Sequence, residues 1–204
     1  MSSNKTKNII FDVGANDGSS CYPLCSEDSV VYAFEPTPQL IREYLLPRAS
    51  DKYVVIPKAV SDFDGKTIFN IAGQADWGCS SLNNFSDKLH DTWPGRDDFK
   101  VTEKITVDVT RMDTFIEENG INHVHYLHCD TQGSDLKVLK SFGKYINIIE
   151  SGVVEAYEKN PLYQESDNNK EAIIKFLEDH NFMITDITSN DSHNNEVNIH
   201  FKSL

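Results

Sequence analysis

The chain has 204 residues, a length typical of one domain with its own hydrophobic core. Hydrophobic residues make up 39% and charged residues 25%, as in ordinary globular proteins. The 19 Lys and Arg against 32 Asp and Glu leave a net charge of −13. Because that charge repels phosphate backbones and anionic membranes, nucleic acid and membrane partners are disfavoured and a small neutral or cationic ligand fits better.

The cellular location is predicted from the cysteines and the apolar runs. No apolar run approaches the roughly 20 residues of a membrane span, and a polar start leads directly into a strand, which argues against a signal peptide. There are four cysteines, Cys21, Cys25, Cys79 and Cys129. Their spacing matches neither a zinc site nor a disulfide framework. We therefore expect reduced thiols and a cytoplasmic protein.

Short apolar runs predict the strands. Five of them span residues 8–13, 30–34, 53–56, 124–129 and 148–154. Continuous apolar character is typical of strands covered on both faces, as in a parallel sheet. Two further strands, at residues 182–187 and 196–201, are predicted to form a terminal antiparallel pair.

Helical patterns separate these strands. They cover residues 38–46, 114–119, the segment from Ser134 to Gly143, and 170–180. Asp113 and Ser134 are expected to cap two of these helices, and Gly120 and Gly143 to end them. The alternation of strands and helices predicts an α/β fold with a doubly wound sheet, built as a single domain over residues 1–204.

Two segments interrupt the alternation, at residues 72–103 and 157–169. Long irregular loops in a compact domain are usually functional, so we expect both on the substrate side. Their aromatic residues either stack on an acceptor or anchor the loops to the domain, and these are Trp77, Trp93, Tyr157 and Tyr163.

Ligands of doubly wound sheets bind at the carboxyl ends of the strands. After the first strand comes Asp12-Val-Gly-Ala-Asn-Asp-Gly18, whose glycines permit a tight turn. Glu35 ends the second strand, where a carboxylate accepts hydrogen bonds from a ribose diol. Residues 59–62 and 130–133 follow the third and fourth strands.

The first loop favours one nucleoside ligand over another. Dinucleotide binding needs Gly-x-Gly-x-x-Gly, whereas here Asn16 takes the middle position and no third glycine follows Gly18 at the required spacing. Asp12 and Asp17 would repel a pyrophosphate. S-adenosylmethionine carries an ammonium, a sulfonium and a ribose diol but no phosphate, so electrostatics favour it over NAD.

Several motifs occur together between about residue 8 and residue 156: Phe11-Asp-Val-Gly-Ala-Asn-Asp-Gly18, Ala33-Phe-Glu-Pro36, Lys58-Ala-Val-Ser-Asp62 with Gly65, Ser80-Ser-Leu82, Arg111-Met-Asp113 and His128-Cys-Asp-Thr-Gln-Gly133. With them the chain resembles the FkbM-type methyltransferases, a branch of the class I S-adenosylmethionine-dependent enzymes. The resemblance implies a Rossmann-like, mostly parallel seven-stranded sheet and O-methyl transfer, often to a hydroxyl of a sugar or natural product. Where the family usually has Lys-Ile-Asp-Val-Glu-Gly, this chain has His128 for the lysine and Gln132 for the glutamate.

The predicted cofactor-binding residues are Asp12, Gly14, Asn16, Asp17, Gly18, Glu35, Ala59, Val60, Ser61 and Asp130. Glu35 is expected to accept from the ribose, and Asp12 and Asn16 to hold the amino-acid end. Asp12 has a second interpretation as a buried hydrogen-bond acceptor, and Asp17 one as a surface acid in a first helical turn. Residues 59–61 are expected beside the adenine.

Methyl transfer to oxygen needs a positioned acceptor and is helped by a general base. Asp130 is the first candidate for that base, Glu155 the second, and His128 lies two residues before Asp130. The alternatives are a helix cap for Asp130 and an ordinary strand histidine for His128. No metal site is predicted, although these three side chains leave a divalent ion open. Ser80 and Ser81 are expected at the edge of the cofactor or the acceptor.

The sequence as a whole predicts an S-adenosylmethionine-dependent O-methyltransferase that acts on a hydroxyl of a small-molecule or carbohydrate acceptor. A non-catalytic binding module with the cofactor fold and an NAD-dependent oxidoreductase are the alternatives. An RNA ribose or cap methyltransferase is a further one, against which the charge of −13 argues.

Overall fold

The computed structural model describes residues 7–73, 77–97, 99–164, 166–191 and 195–204. The strands of this part are β1 (Asn8–Val13), β2 (Ser29–Phe34), β3 (Tyr53–Ile56), β4 (Ala59–Val60), β5 (Gly65–Ile71), β6 (Glu103–Thr110), β7 (Val124–Cys129), β8 (Ile149–Tyr157), β9 (Phe182–Ser189) and β10 (Glu196–Ser203). Its α-helices are α1 (Pro38–Leu40), α2 (Leu89–Thr92), α3 (Met112–Asn119), α4 (Asp135–Ser141) and α5 (Lys170–Asp179).

A seven-stranded sheet forms the centre of the fold, in the order β3-β2-β1-β7-β8-β10-β9. The strands β1, β2, β3, β7 and β8 run parallel, and β10 runs antiparallel to both β8 and β9. This confirms the Rossmann-like, mostly parallel seven-stranded sheet and its C-terminal antiparallel pair.

The sheet is covered on both faces, as its apolar strands require. Phe11 and Val13 of β1 face the larger core, which also takes in side chains of α3, α4 and α5. The residue of β1 between these two and the one directly before them face the opposite side of the sheet. Ile10 packs there in a smaller cluster with Leu45 and Tyr53. Asp12 shares that second face by the alternation of the strand, and it is fully buried there.

The two predicted helix caps, Asp113 and Ser134, differ from the structure. α3 begins at Met112 after Arg111, so Asp113 lies in the first turn and pairs with the Arg111 guanidinium instead of capping the helix. Ser134 does occupy the cap position of α4, but its hydroxyl accepts from the Asn83 side chain at 2.9 Å and caps no backbone N–H. Gly120 ends α3 in the left-handed conformation, as predicted.

The helix predicted over residues 38–46 is irregular. The α-helical part, α1, gives way to a π-helix over Ile41–Leu45 and a 3₁₀ turn over Leu46–Arg48. A proline lies near each end of this segment, Pro38 in the first turn and Pro47 in the last. Pro47 has no N–H group to donate, which a regular helix would need there.

A second sheet, of order β4-β6-β5, was not predicted. β6 pairs in parallel with β4 and antiparallel with β5. Alternating side chains such as Val107 and Val109 enter a small core with Phe69 and Ile71. The period-two alternation of Glu103–Thr110 is the sequence signal that would have revealed this strand.

The carboxyl ends of β1, β2, β3 and β7 meet at one edge of the central sheet. Backbone hydrogen bonds continue past these ends: Gly14 N donates to Phe34 O at 3.0 Å, and Asp130 N donates to Val13 O at 2.9 Å. The loops that carry the predicted site are therefore held side by side. None of the helices in the described ranges is long and apolar enough to cross a membrane.

Candidate functional site

A cavity of about 510 Å³ lies at this edge of the sheet. The first loop, the end of β2, the start of β4 and the loop after β7 form its walls. It is lined by Gly14, Asn16, Phe34, Glu35, Pro36, Thr37, Lys58, Ala59, Val60, Phe69, Trp77, Gly78, Ser80, Leu82, Asp130, Thr131, Gln132 and Ser134. We call it the cofactor cavity, because the residues predicted to touch the ribose and the adenine lie on its wall.

Glu35 is the buried acid of the cofactor cavity, with only 4% of its surface exposed. The Asn16 N–H donates to its Oε2 at 2.9 Å, and the Thr37 N–H donates to its Oε1 at 2.7 Å. Each oxygen keeps a second lone pair for a ligand hydroxyl. Burial raises the pKa of Glu35 to about 7, against the lowering effect of these two hydrogen bonds.

Gly14 brings the first loop against the end of β7. Its φ is +85°, and a Cβ built there would lie 1.9 Å from the carbonyl oxygen of Asp130. No L side chain fits this contact. Glycine at this position therefore sets how closely the two loops approach, and with them Asn16 and Asp130.

Six of the predicted cofactor residues line the cofactor cavity, namely Gly14, Asn16, Glu35, Ala59, Val60 and Asp130. The other four, Asp12, Asp17, Gly18 and Ser61, do not line it. The position of a Gly18 Cβ would be 2.5 Å from the Tyr53 hydroxyl, Asp17 Oδ1 accepts from the Ser19 N–H, and the Ser61 N–H donates to Thr110 O.

Asp12 lies beside His128, outside the lining of the cofactor cavity. It is fully buried, and its Oδ1 lies 2.9 Å from Nδ1 of His128. His128 is not on the cofactor cavity; it lines a separate cavity with Ile10 and Tyr126. The strand register explains this placement, because Asp12 and His128 are paired neighbours on β1 and β7 and face the same side of the sheet.

A second cavity, of about 700 Å³, adjoins the cofactor cavity. We call it the acceptor cavity. The two share Gly14, Asn16, Gly78, Asp130 and Gln132, so Asp130 faces both. The rest of its wall is acidic and aromatic, and consists of Cys79, Trp93, Arg96, Phe99, Glu155, Leu162, Asn190, Asp191 and Glu196.

Gln132 links the two predicted catalytic acids. Its Nε2 donates to Asp130 Oδ1 at 2.7 Å and to Glu155 Oε2 at 3.0 Å. The hydroxyl of Tyr163 lies 2.8 Å from Gln132 Oε1. Asn190 donates to the other oxygen of Glu155. An amide at residue 132 therefore offers both its N–H groups to carboxylates, which a glutamate could not do.

Glu155 is buried to 2% exposure. Burial and the neighbouring Asp130 charge raise its pKa well above the usual range of a carboxyl group. Asp130 lines both cavities, whereas of the two cavities Glu155 lines only the acceptor cavity.

The two irregular segments pack on each other beside the acceptor cavity. The rings of Phe85 and Tyr163 stack with centroids 5.5 Å apart, and Phe85 also stacks on Phe99 at 6.1 Å. Trp93 and Leu162 complete this aromatic cluster. The Tyr157 hydroxyl donates to the Ser166 carbonyl. Trp93, Tyr157 and Tyr163 thus make the contacts expected of residues that anchor the loops to the domain.

The first irregular segment also forms a wall of the cofactor cavity. Trp77 and Ser80 line it directly, while the Ser81 hydroxyl donates to Gln132 O at 2.7 Å. Lys58, the first residue of the Lys58–Asp62 motif, and Phe69 line it too, and neither was among the predicted site residues. Phe69 belongs to the unpredicted second sheet, so its position could not follow from the sequence pattern used.

Comparisons with known proteins bear on this arrangement. Residues 12–184 match the methyltransferase FkbM domain. No curated protein matches the chain. The fold is similar to magnesium protoporphyrin IX methyltransferase from Synechocystis PCC 6803, with a TM-score of 0.52 and 10% identity over 98% of this chain and 72% of that chain.

Two further solved structures share the fold. An rRNA methylase from Streptococcus thermophilus has a TM-score of 0.51 and 11% identity, over 98% of this chain and 89% of that chain. Fibrillarin from Aeropyrum pernix has a TM-score of 0.51 and 13% identity, over 97% and 66%. Identities this low show a common fold alone. Since the match to the FkbM domain spans most of the sequence, the chain belongs to the FkbM family of methyltransferases, whose methyl donor is S-adenosylmethionine.

Proposed function

We propose that the protein transfers a methyl group from S-adenosylmethionine to a hydroxyl of a small-molecule or carbohydrate acceptor. The observation that carries this proposal is the position of Asp130, which faces the cofactor cavity on one side and the acceptor cavity on the other. A base is useful between a methyl donor and an alcohol, because a protonated alcohol is a poor nucleophile.

The cofactor cavity fits the donor by its polar groups. Glu35 offers two carboxylate oxygens to a ribose diol, and Ala59 and Val60 offer an apolar wall for an adenine. Asn16 and Asp130 lie where an ammonium group would be bound by polar oxygens. We propose that Asp12, Asp17, Gly18 and Ser61 support this wall from behind. Bound S-adenosylmethionine supplies an electrophilic methyl group on a sulfonium.

The chain's own residues position the acceptor and take its proton. Asp130 would accept the proton of the acceptor hydroxyl, and Gln132 holds its carboxylate in place by a hydrogen bond of 2.7 Å. Glu155 lies on the other side of Gln132 and accepts a hydrogen bond from the same amide at 3.0 Å. His128 has no direct part in this proposal, because it lines another cavity.

The charge of the acceptor cavity and the loops around it favour a small acceptor without phosphate groups. Asp130, Asp191 and Glu196 line the acceptor cavity against one basic residue, Arg96, and the net charge of the chain is −13. Both disfavour a phosphate-rich acceptor such as RNA. Residues 72–103 and 157–169 supply Trp93, Phe99 and Leu162 to the cavity, which supports their role as substrate-side loops. The four free cysteines support a cytoplasmic location.

The experiment offers S-adenosylmethionine and a panel of sugars, alcohols and amines to the purified protein and follows release of S-adenosylhomocysteine. We expect release that depends on a hydroxyl acceptor. Asp130→Asn should lower kcat about 100-fold or more, since general bases contribute at least that much, and Asp186→Asn, a change of an exposed acid, should leave it unaltered. Transfer only to amines, or cofactor binding without any transfer, would refute the proposal.

A further inference from the structure

Three side chains of different chemistry converge beneath the first loop, away from both cavities of the site. Asp12 of β1 and His128 of β7 are neighbours in the sheet, and Cys21 reaches them from the turn that follows Gly18. One ligand atom from each of the three lies within 4.8 Å of the other two. His128 Nδ1 and Asp12 Oδ1 are 2.9 Å apart.

The carboxylate of Asp12 is left incompletely paired. It is 0% exposed, and among the described residues its Oδ2 has no hydrogen-bond partner. The hydroxyl of Tyr53, buried on the same face of the sheet, also lacks one. Buried polar atoms are nearly always satisfied, and an unpaired carboxylate oxygen is costly. A bound cation would supply the missing partner.

The thiol of Cys21 fits the same conclusion. It is 1% exposed, and its Sγ lies within 4.8 Å of a ligand atom of Asp12 and of one of His128. A thiolate, an imidazole and a carboxylate are the ligand types that zinc combines in proteins.

We propose that Asp12, Cys21 and His128 bind one Zn²⁺ ion, with water in the fourth position. A cavity of about 870 Å³ opens on this side of the sheet and is lined by Ile10, Tyr126 and His128. The His128 side chain is 20% exposed, so an ion reaches the site from there without passing through the cofactor cavity. The ion ties β1 to β7 and to the Cys21 turn directly below the first loop.

A second group of metal-binding side chains lies on the surface. Glu150 Oε2 is 3.3 Å from His123 Nε2 and 2.8 Å from His125 Nδ1. Its side chains are about half exposed and paired with one another, and the group has no sulfur. The absence of sulfur from this triad distinguishes the two sites spectroscopically, because only Cys21 can give a thiolate–metal absorption band.

The test is a titration of the metal-stripped, fully reduced protein with Co²⁺, followed by displacement with Zn²⁺. We expect one equivalent to produce a thiolate-to-cobalt charge-transfer band and the visible bands of a tetrahedral ion. Cys21→Ser should abolish the charge-transfer band, and His128→Gln should weaken Co²⁺ binding by more than about tenfold. Cys25→Ser, a change of the neighbouring thiol, should preserve the band, as should His125→Ala.

A band in the unaltered protein shows that a thiolate binds the ion, and Cys21→Ser compared with Cys25→Ser identifies which thiol it is. No charge-transfer band, or a band lost in Cys25→Ser but kept in Cys21→Ser, would overturn it. So would Co²⁺ binding that His125→Ala removes. The proposal does not depend on methyl transfer, and the readout is independent of any acceptor.

Discussion

Glu35 holds the backbone around it in place and is expected to bind the cofactor. Its carboxylate accepts the N–H groups of Asn16 and Thr37 and offers its remaining lone pairs to the cofactor cavity. Glu35→Ala should weaken binding of S-adenosylhomocysteine by about tenfold or more, because charged hydrogen bonds contribute about 1.5–3 kcal/mol. Calorimetric titration measures this.

Glu27→Ala is the matched control for that change, since Glu27 is an exposed glutamate that pairs with Lys52. Its affinity should equal that of the unaltered protein. Equal affinity in Glu35→Ala would show that the ribose is not held at the end of β2.

The pKa of Glu35, raised to about 7 by burial, makes cofactor affinity dependent on pH. Below about pH 7 the carboxyl gains a proton and loses acceptor capacity, so affinity should fall as the pH is lowered through this value. Titrations with S-adenosylhomocysteine on either side of pH 7 measure the effect, and Glu35→Gln should flatten it. An affinity that rises on acidification would contradict the assignment.

At the scale of elements, the contact between the first loop and β7 depends on Gly14. Gly14→Ala should abolish cofactor binding, because the new Cβ would meet the Asp130 carbonyl at 1.9 Å and push the loops apart. Gly120→Ala is the control: that glycine also has a positive φ, of 61°, but its Cβ would meet nothing within 4 Å. Retained binding in Gly14→Ala would mean that the loop approach does not shape the site.

The two irregular segments behave as one unit if the aromatic cluster holds them. Phe85→Ala removes the ring that stacks on both Tyr163 and Phe99, and should speed proteolysis within residues 72–103 and 157–169 while the central sheet stays folded. Phe63→Ala, a change of a ring that is 39% exposed, should have no such effect. Equal cleavage rates in the two variants would show that the segments are held independently.

The sequence predicted the elements of the central sheet well because its strands are continuous apolar runs. Gly14, Glu35 and Asp130 were predicted from the loops at the strand ends, and all three line the cofactor cavity. The second sheet was missed because its strands are not continuous apolar runs: β6 alternates polar and apolar residues, and β4 has only two residues. The positions of Asp12 and His128 depended on which face of β1 and β7 they share. The Gln132 bridge depended on contacts with Glu155 and Tyr163, which are 23 and 31 residues away in the sequence.

The whole molecule carries its buried acids at a cost that depends on pH. Burial raises the pKa values of Glu35 and Asp135 to about 7, so the folded state keeps protons that the unfolded chain releases near pH 4. Stability should therefore decrease as the pH rises from about 4 to about 7, and growing repulsion within a chain of net charge −13 acts in the same direction.

Thermal unfolding across this range measures the trend. The Tm should fall as the pH approaches about 7 and fall less steeply in Glu35→Gln, which removes one of the buried acids. The same dependence of Tm on pH in Glu35→Gln and in the unaltered protein would show that Glu35 does not have a raised pKa in the folded state.

The measurement that tests the central claim most directly is calorimetric titration of the purified protein with S-adenosylhomocysteine, with NAD in parallel. The cofactor cavity, with its Glu35 carboxylate beside an acidic loop, predicts micromolar binding of S-adenosylhomocysteine and none of NAD. Binding of NAD alone, or of neither ligand, would contradict the assignment of this cavity to the methyl donor.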